Sequence, residues 1–337
     1  MRYVSAAALQ PPVSITLKQA EDFHQIWNVT RSNPEIARIA VSVIAHLAMN
    51  GPDFLAKILQ SLPELRNLGI SATQAEPIDE LLVTLADQKT AFRRLEHLII
   101  ESSSDFHGSL QSYRVNRLQQ LAPNLSKLWL GGINGEEELR ALITLKEFEC
   151  DSVDVVVIRG LRGLTSLQFS SDQRAGTTGI DQIPFRKGMG HNIRTLTIGR
   201  TWWDAGINIT QIHAALVESC RMLRYLALAP RSESCVEKGI LVDLLRKAPS
   251  TLRTLALQMA TTVQDEAKLH TRIRVVTAAL ICPERRRLRV LRLHIPLESF
   301  QNVDCRRQIT TLKNACRSQR MICNVYFCSL KYIAKTI

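Results

Sequence analysis

Aromatic residues are scarce in this chain of 337 residues, at 5 %, although hydrophobic residues make up 45 % and charged residues 22 %. A core centred on large rings is therefore excluded, and the interior must consist mainly of Leu, Ile and Val. A core built from a few similar aliphatic side chains is typical of repeated layers of similar shape.

Long hydrophobic runs and paired cysteines are also lacking. The most apolar stretch, residues 39–49, is interrupted by Ser42 and His46 and is shorter than the roughly 18 residues that indicate a membrane span. The eight cysteines include no C-x-x-C pair. We expect them to be reduced and mostly in the core, as in a cytoplasmic or nuclear protein.

Motifs that indicate an active site are missing as well. The chain has no nucleotide-binding glycine loop, no H-E-x-x-H, no G-x-S-x-G and no zinc-type cysteine spacing. Its eight histidines are scattered, and none pairs with a Cys or Ser in a catalytic pattern. We therefore expect no catalytic residue, metal or cofactor, and we predict that the protein is not an enzyme.

What recurs instead is one six-residue pattern, L-x-x-L-x-L, in which Ile, Phe or Cys sometimes replaces Leu. Nine strong copies begin at Leu65, Leu95, Leu125, Leu145, Leu164, Ile193, Leu223, Leu252 and Leu288. Weaker copies are placed at Ile36-x-x-Ile39-x-Val41 and Ile322-x-x-Val325-x-Phe327. A recurrence of this kind indicates stacked units of secondary structure.

The pattern predicts the structure of each unit. On a short strand the fourth and sixth positions point inward, and the third, fifth and seventh point outward. Apolar residues at helical spacing follow, as in Ile78, Leu81, Leu82 and Leu85, and again within residues 54–62, 209–217 and 236–245. Cys305, Ile309, Leu312 and Cys316 are expected to pack in the core from one face of a terminal helix. We predict an α/β leucine-rich-repeat solenoid, a curved horseshoe with parallel strands on the concave side and helices on the convex side. The alternative is an ordinary α/β domain rich in leucine.

The same pattern predicts the domain organisation. Residues 33–328 would form an array of about 11 units. Residues 1–32 would be an N-terminal capping segment, and residues 329–337 a C-terminal tail.

Four segments of the chain carry a likeness to known repeats. They are Asn33-Pro-Glu-Ile-Ala-Arg-Ile39, Ser61-Leu-Pro-Glu-Leu-Arg-Asn-Leu-Gly-Ile70, Leu121-Ala-Pro-Asn-Leu-Ser-Lys-Leu-Trp-Leu130 and Ala248-Pro-Ser-Thr-Leu-Arg-Thr-Leu-Ala-Leu257. Over roughly residues 30–330 the chain resembles the leucine-rich-repeat region of fungal F-box proteins, whose units are ribonuclease-inhibitor-like.

The resemblance implies the substrate-recognition part of a cullin-type ubiquitin ligase. The F-box itself, which docks on the ligase adaptor, is not recognisable in residues 1–32. The chain would then be either a truncated F-box protein or a repeat-only relative. It would meet the adaptor only if an F-box is supplied elsewhere.

The outward positions supply the candidate binding residues of a protein-interaction scaffold, with the partner on the concave face. We predict that Trp129 anchors a partner segment, and that Glu147, Glu149 and Asp151 select a segment bearing Lys or Arg. The alternative for the carboxylates is a solvated acidic face. Further candidates are Glu101, Lys127, Arg292, Tyr326, and Trp202 and Trp203, which either fill a gap between repeats or expose one ring.

The net charge of +12 is concentrated at the C-terminal end, where residues 281–337 hold 12 Lys/Arg against 3 Asp/Glu. An alternative function is therefore the binding of an anionic partner, a nucleic acid or a membrane surface. The residues involved would be Arg285-Arg-Arg287, Arg289, Arg292, Arg306 and Arg307. A solvated helix and loop explain the same run, and the lack of interleaved aromatic residues disfavours nucleic acid.

Overall fold

The structure, a computed structural model, falls into two compact units, Met1–Gly163 (unit 1) and Leu164–Ile337 (unit 2). The residues that it describes are 13–18, 20–47, 51–73, 76–88, 91–102, 121–130, 133–134, 144–150, 153–154, 163–169, 192–198, 220–228, 248–259, 269–281 and 288–328. Within these residues, no helix is long and apolar enough to cross a membrane.

The described part of unit 1 contains six parallel strands, each hydrogen-bonded to the next. In sheet order they are β1 (Val13–Leu17), β2 (Ala40–Leu47), β3 (Asn67–Ala72), β4 (His97–Ser102), β5 (Lys127–Leu130) and β7 (Glu147–Cys150). A separate parallel pair is formed by β6 (Ile133–Asn134) and β8 (Val153–Asp154). The helices are α1 (Ala20–Ser32), α2 (Pro34–Ile39), α3 (Pro52–Gln60) and α4 (Glu76–Asp87).

Unit 2 follows the same plan, with six further parallel strands among its described residues. They are β9 (Ser166–Phe169), β10 (Thr195–Ile198), β11 (Tyr225–Leu228), β12 (Thr254–Gln258), β13 (Val290–Pro296) and β14 (Ile322–Cys328). Helix α5 (Leu269–Ile281) precedes β13. A 3₁₀ helix (Leu297–Gln301) and helix α6 (Val303–Ser318) separate β13 from β14.

The nine strong copies of the pattern are confirmed, because their first positions are all buried, with at most 8 % exposure. The fourth positions form a second buried row, in which Phe148 takes the place of Leu at 1 % exposure. Burial of each such side chain contributes about 1.5–3 kcal/mol. Because one strand cannot cover its own apolar face, this energy is gained only when neighbouring strands and helices stack.

Tight turns set the register before each strand. The amide of Leu65 donates to the carbonyl of Leu62 at 3.3 Å, and the amide of Leu95 does the same to Phe92 at 3.1 Å. In one copy a threonine directly before the first position links its turn to the preceding copy. Thr251 Oγ1 donates a hydrogen bond to the carbonyl of Leu223 at 2.8 Å. The turns therefore stack as regularly as the strands.

The helices also follow their apolar spacing. The four predicted residues of α4, from Ile78 to Leu85, are buried, and so are Leu55, Ile58 and Leu59 of α3. On α6 the predicted face of Cys305, Ile309, Leu312 and Cys316 is buried. The helical residues predicted between 209 and 217 and between 236 and 245 lie outside the described residues.

The weak copy at the N-terminal end was placed wrongly. Ile36 and Ile39 belong to helix α2, which Asn33 caps by accepting a hydrogen bond from the amide of Glu35. The strand that joins the sheet is β2, in which Val43 pairs with Leu68. The i, i+3 spacing of two isoleucines fits a helix as well as the pattern, and the asparagine cap with Pro34 decides for the helix.

The weak copy at the C-terminal end was shifted by two residues. Ile322 is 60 % exposed and pairs with Val290, so it does not occupy a buried first position. Cys323 pairs instead with Leu291 at the fourth position, and Val325 with Leu293 at the sixth. The alternation between the two faces was predicted correctly, and only the start of the copy was not.

Part of the predicted N-terminal cap is itself a strand and a helix. Residues 13–17 form β1, which pairs in parallel with β2, and residues 20–32 form α1. The tail predicted at 329–337 lies outside the described residues. The extent of the array over 33–328 stays a prediction.

Candidate functional site

The face of each sheet that carries the third, fifth and seventh positions, here the outer sheet face, is the candidate site. Its side chains point away from the buried leucines, because successive residues of a strand point to opposite faces. The strand register brings equivalent positions together in rows that run across the strands.

In unit 1 the fifth positions form an apolar row. Ile44 pairs with Gly69, Gly69 with Ile99, and Ile99 with Trp129. Ile44 is 55 % exposed and Ile99 47 % exposed, and Trp129 is half-buried. Since neighbouring strands lie about 4.8 Å apart, the apolar row is about 14 Å long.

Gly69 leaves a notch in the middle of this row. A β-carbon placed on Gly69 would lie 3.7 Å from Cγ1 of Ile44, which is ordinary van der Waals contact. The space above Gly69, between Ile44 and Ile99, can therefore take an apolar group without displacing either isoleucine. Without such a group, both isoleucines remain in contact with water.

Polar rows flank the apolar row on both sides. At the third positions, Lys127 Nζ lies 3.1 Å from Glu147 Oε2 on the neighbouring strand. At the seventh positions, His46 Nδ1 and Ser71 Oγ are 3.1 Å apart. Both partners of the ion pair are about half exposed, so the pair contributes at most about 1 kcal/mol to stability. An apolar strip with polar borders is the usual anatomy of a protein-binding surface.

The predicted site residues of unit 1 fall partly on this surface. Trp129 lies at the end of the apolar row, and Lys127 and Glu147 form the ion pair beside it. The backbone register places Glu149 next to Trp129 and Glu101 next to Ser71. The residues Asp151, Trp202 and Trp203 lie outside the described residues.

The middle of the outer sheet face of unit 2 is covered by its own side chains, since Ala227 and Ala256 are at most 1 % exposed. The guanidinium of Arg292 lies 5.7 Å from the ring centroid of Tyr225, two strands away. It can reach that far because the strand between them carries small side chains, and Ala256 is only 1 % exposed although it lies on this face. The predicted residue Arg292 is thus engaged within its own unit.

Tyr326, the other residue predicted in unit 2, stacks on His294 with ring centroids 5.1 Å apart and planes 20° apart. Tyr326 is 40 % exposed. Burial, and then the charge of Arg292, lower the pKa of His294. Within the described part of the chain, Nδ1 of His294 is buried and has no hydrogen-bond partner.

Cys220, Cys305 and Cys316 are buried free thiols, in line with the predicted core positions, and Cys323 is a half-buried free thiol. Burial raises the pKa of Cys220 to about 12, so this thiol is unreactive at neutral pH. Cys316 of α6 and Cys323 of β14 share a hydrogen bond, which raises the pKa of Cys316 and lowers that of Cys323. Among the described residues, no group of three His, Cys, Asp or Glu is placed to hold a metal ion.

Three members of the apolar row, Ile44, Gly69 and Ile99, were not among the predicted binding residues, although the pattern did place Ile99 at an outward position. Ile44 was missed because the N-terminal copy was set four residues too early, which hid the outward positions of β2. Gly69 was missed because a residue without a side chain gives no signal in a list of outward side chains. Aligning the sequence of β2 on that of β3 would have identified Ile44 and Gly69 as neighbours.

Comparison with known proteins supports the fold. No protein-family model matches the chain, and no curated protein is significantly similar to it in sequence. Among solved structures, the leucine-rich repeat-containing protein LegL7 from Legionella pneumophila matches with a TM-score of 0.51 and 13 % sequence identity. The match covers 94 % of this chain and 90 % of LegL7. The fold class is therefore α/β of the leucine-rich-repeat type, with parallel strands and helices, as predicted.

Proposed function

We propose that this protein is a protein-interaction scaffold, a binding protein rather than an enzyme. The observation that carries the proposal is the apolar row of Ile44, Gly69, Ile99 and Trp129 on the outer sheet face of unit 1. Two exposed isoleucines and a half-buried tryptophan lie in one row over four strands, and burying them stabilises the molecule only when another surface covers the row. The polar rows on either side give the surface a rim that stays hydrated.

The chemistry of the row specifies the kind of partner segment. An apolar side chain fits over Gly69 between Ile44 and Ile99, where it would touch both isoleucines. Trp129 offers a large, half-buried ring beside it, and tryptophan is enriched among residues that dominate binding energies. We infer that the partner carries an apolar anchor followed by a Lys or Arg.

The basic residue would face the acidic end of the row. Lys127 already neutralises Glu147 across the strands, so Glu149 and Asp151 are the carboxylates proposed to select it. Charge complementarity at the rim of an interface mainly raises the association rate and the specificity, whereas the buried aromatic residue supplies most of the affinity.

Selection from a random peptide library displayed on phage, with the full chain as bait, tests the proposal. We expect the enriched peptides to share an apolar residue and a Lys or Arg. A synthetic peptide of that sequence should bind Trp129→Ala more weakly by about 2 kcal/mol, close to thirtyfold. Glu149→Lys should slow association, and the loss should shrink as salt is added.

Ile322→Ala is the matched control, because it removes an exposed apolar side chain from the outer sheet face of unit 2. It should bind the peptide like the parent chain. If Trp129→Ala and Glu149→Lys also bind like the parent, the apolar row is not the binding surface. Circular dichroism of each variant separates lost binding from lost folding.

A narrower role rests on the resemblance to the repeats of F-box proteins. We propose that the segment bound by the apolar row belongs to a substrate of a cullin-type ubiquitin ligase in the cytoplasm or nucleus, with an F-box supplied elsewhere. Affinity purification of the full chain from cells should then recover the ligase adaptor and cullin subunits. Their absence, with peptide binding intact, would contradict the ligase role and leave the scaffold role standing.

A further inference from the structure

A row of arginines lies at the amino-terminal edge of the strands of unit 2. In four successive repeats the residue after the first apolar position is arginine: Arg194, Arg224, Arg253 and Arg289. Their backbones are hydrogen-bonded in sequence, since each amide donates to the carbonyl of the arginine before it at 2.8 to 2.9 Å. Neighbouring strands hold the four residues, here called the arginine row, side by side.

The charges of the row are open to solvent. Arg194, Arg224 and Arg289 are exposed, and Arg253 is half-buried with Nη1 donating to the carbonyl of Ser250 at 3.2 Å. In the ranges of unit 2 that the structure describes, no carboxylate forms an ion pair with the three exposed arginines. Like charges on adjacent strands repel one another unless an anion lies among them.

The row is a property of unit 2 and not of the repeat. In unit 1 the same position is held successively by Arg66, Glu96, Ser126 and Lys146. Their backbones are joined by the same hydrogen bonds, from the amide of each to the carbonyl of the one before. The first copy of unit 2 carries Thr165 at this position, and the next four carry arginine. The backbone hydrogen bonds are thus alike in the two units, and only unit 2 places one sign of charge at four successive steps.

The spacing of the row selects the shape of an anionic partner. Strands about 4.8 Å apart spread four arginines over about 14 Å. One carboxylate per turn of an α-helix, at a pitch of 5.4 Å, spreads four carboxylates over about 16 Å. Carboxylates on one face of an extended strand would need about 20 Å. Flexible arginine side chains can bridge the mismatch of about 2 Å between the row and a helix, but not the mismatch of about 6 Å between the row and a strand.

We propose that the arginine row binds an acidic α-helix of a partner protein, with one carboxylate per helical turn facing each arginine. The planar guanidinium matches a carboxylate with two parallel hydrogen bonds, which favours arginine over lysine at such a surface. Nucleic acid fits less well, because single strands need aromatic platforms for their bases. Beside the row the next outward residues are Thr195, Tyr225, Thr254 and Val290, and the one ring among them is covered by Arg292.

An alanine-based helical peptide tests this site. The peptide carries glutamates at i, i+4, i+7 and i+11 on one face. Its fluorescence anisotropy is followed as the full chain is added in about 0.1 M salt, where charges are screened beyond about 10 Å. A second peptide of equal composition has its glutamates spread around the helix. We expect the first peptide to bind more tightly, and Arg224→Glu to weaken it at least about tenfold.

Arg317→Glu is the matched control, because it makes the same change in charge at an exposed position of helix α6 in the same unit. It should change the affinity less than about twofold, since its charge lies off the row. Trp129→Ala should leave this binding unchanged, so the test is independent of the function proposed above.

Four results would overturn the inference. Equal affinity for the two peptides, or an equal loss in Arg317→Glu, would show attraction by general charge. Single-stranded RNA that binds more tightly than the helix and is lost in Arg224→Glu would make the row a nucleic-acid site. A peptide that fails to bind at low salt, with Arg194 and Arg224 intact, would show that the row binds no acidic helix.

Discussion

The two units are built from the same type of repeat but carry different side chains at equivalent positions. At the fifth position unit 1 exposes Ile44 and Ile99, whereas unit 2 has Ala227 and Ala256, which are at most 1 % exposed. At the second position, unit 1 mixes charges, whereas four successive copies of unit 2 carry arginine. Because the strands and turns are alike, the difference lies in the residues that the backbone leaves free to vary.

This comparison teaches where binding can be built on a repeat. The first, fourth and sixth positions are held by packing, so substitution there costs stability. Each outward position is repeated at a fixed interval, so a few substitutions produce a continuous strip. Unit 1 has an exposed apolar strip, and unit 2 has a basic strip at the strand edge beside a face whose middle is covered by its own side chains.

The largest expected effect tests the part that the units share. Leu98→Asp in unit 1 and Leu196→Asp in unit 2 each place a carboxylate where leucine is at most 2 % exposed. Each should destabilise the chain by more than about 4 kcal/mol, and leave it insoluble or molten. Ile99→Asp, one residue away on the outer sheet face, is the control and should fold.

Urea unfolding, followed by circular dichroism, measures these three variants. A normal transition for Leu98→Asp or Leu196→Asp would mean that the strand register is wrong in that unit. Unfolding of Ile99→Asp would mean that the fifth position of unit 1 is buried, and the comparison between the units would then fail.

The next effect separates packing from binding. Arg292→Ala removes the cation from the ring of Tyr225 and uncovers Ala256, and should cost unit 2 about 1 kcal/mol. Trp129→Ala should cost little stability and most of the peptide affinity. Paired measurements of unfolding and peptide binding on both variants check this. A reversed outcome, with lost peptide binding in Arg292→Ala, would assign the binding face to unit 2.

The sequence predicted the repeat and its inward residues well because burial imposes a period that every copy must obey. Leu95, Leu98 and Ile100 can be recognised as one copy of the pattern without knowledge of any neighbour. The outward residues obey no such rule. The contact of Arg292 with Tyr225 spans two strands and depends on the small size of Ala256 between them, which no single copy reveals.

The candidate site was predicted only where one residue stands out in its own copy. Trp129 is large enough to be noticed alone, whereas the notch at Gly69 exists only through the register of β2, β3 and β4. The arginine row could have been found from the sequence, by comparing the second position of aligned copies. It was hidden among the many other basic residues of the C-terminal half.

A smaller effect concerns the notch itself. Gly69→Ala adds a methyl group that the structure accepts at 3.7 Å from Ile44. Alanine in place of glycine inside a strand should stabilise the fold by about 0.5–1 kcal/mol. The same methyl group fills the space proposed for the partner's apolar anchor, so peptide affinity should fall while the melting temperature rises. Unchanged affinity in the stabilised variant would place the anchor elsewhere on the row.

The smallest expected effect is a pH dependence in unit 2 that comes from His294. The pKa of this imidazole in the folded chain is lowered, so the unfolded chain binds the proton more readily. Above about pH 6.5 the ring is neutral in both states and contributes nothing. As the pH falls below that value, only the unfolded chain gains the proton, and stability decreases until the folded ring also titrates. Solvent screens this half-exposed ring, which keeps the effect small.

Melting temperatures of the parent chain and His294→Gln between pH 7.5 and 5.5 measure this pH dependence, since other titrating groups are common to both chains. The parent should lose more stability than the variant, and Arg292→Gln should reduce that loss because the charge of Arg292 is one of its causes. Equal losses in the parent and His294→Gln would show that the stacked pair on β13 and β14 does not sense pH.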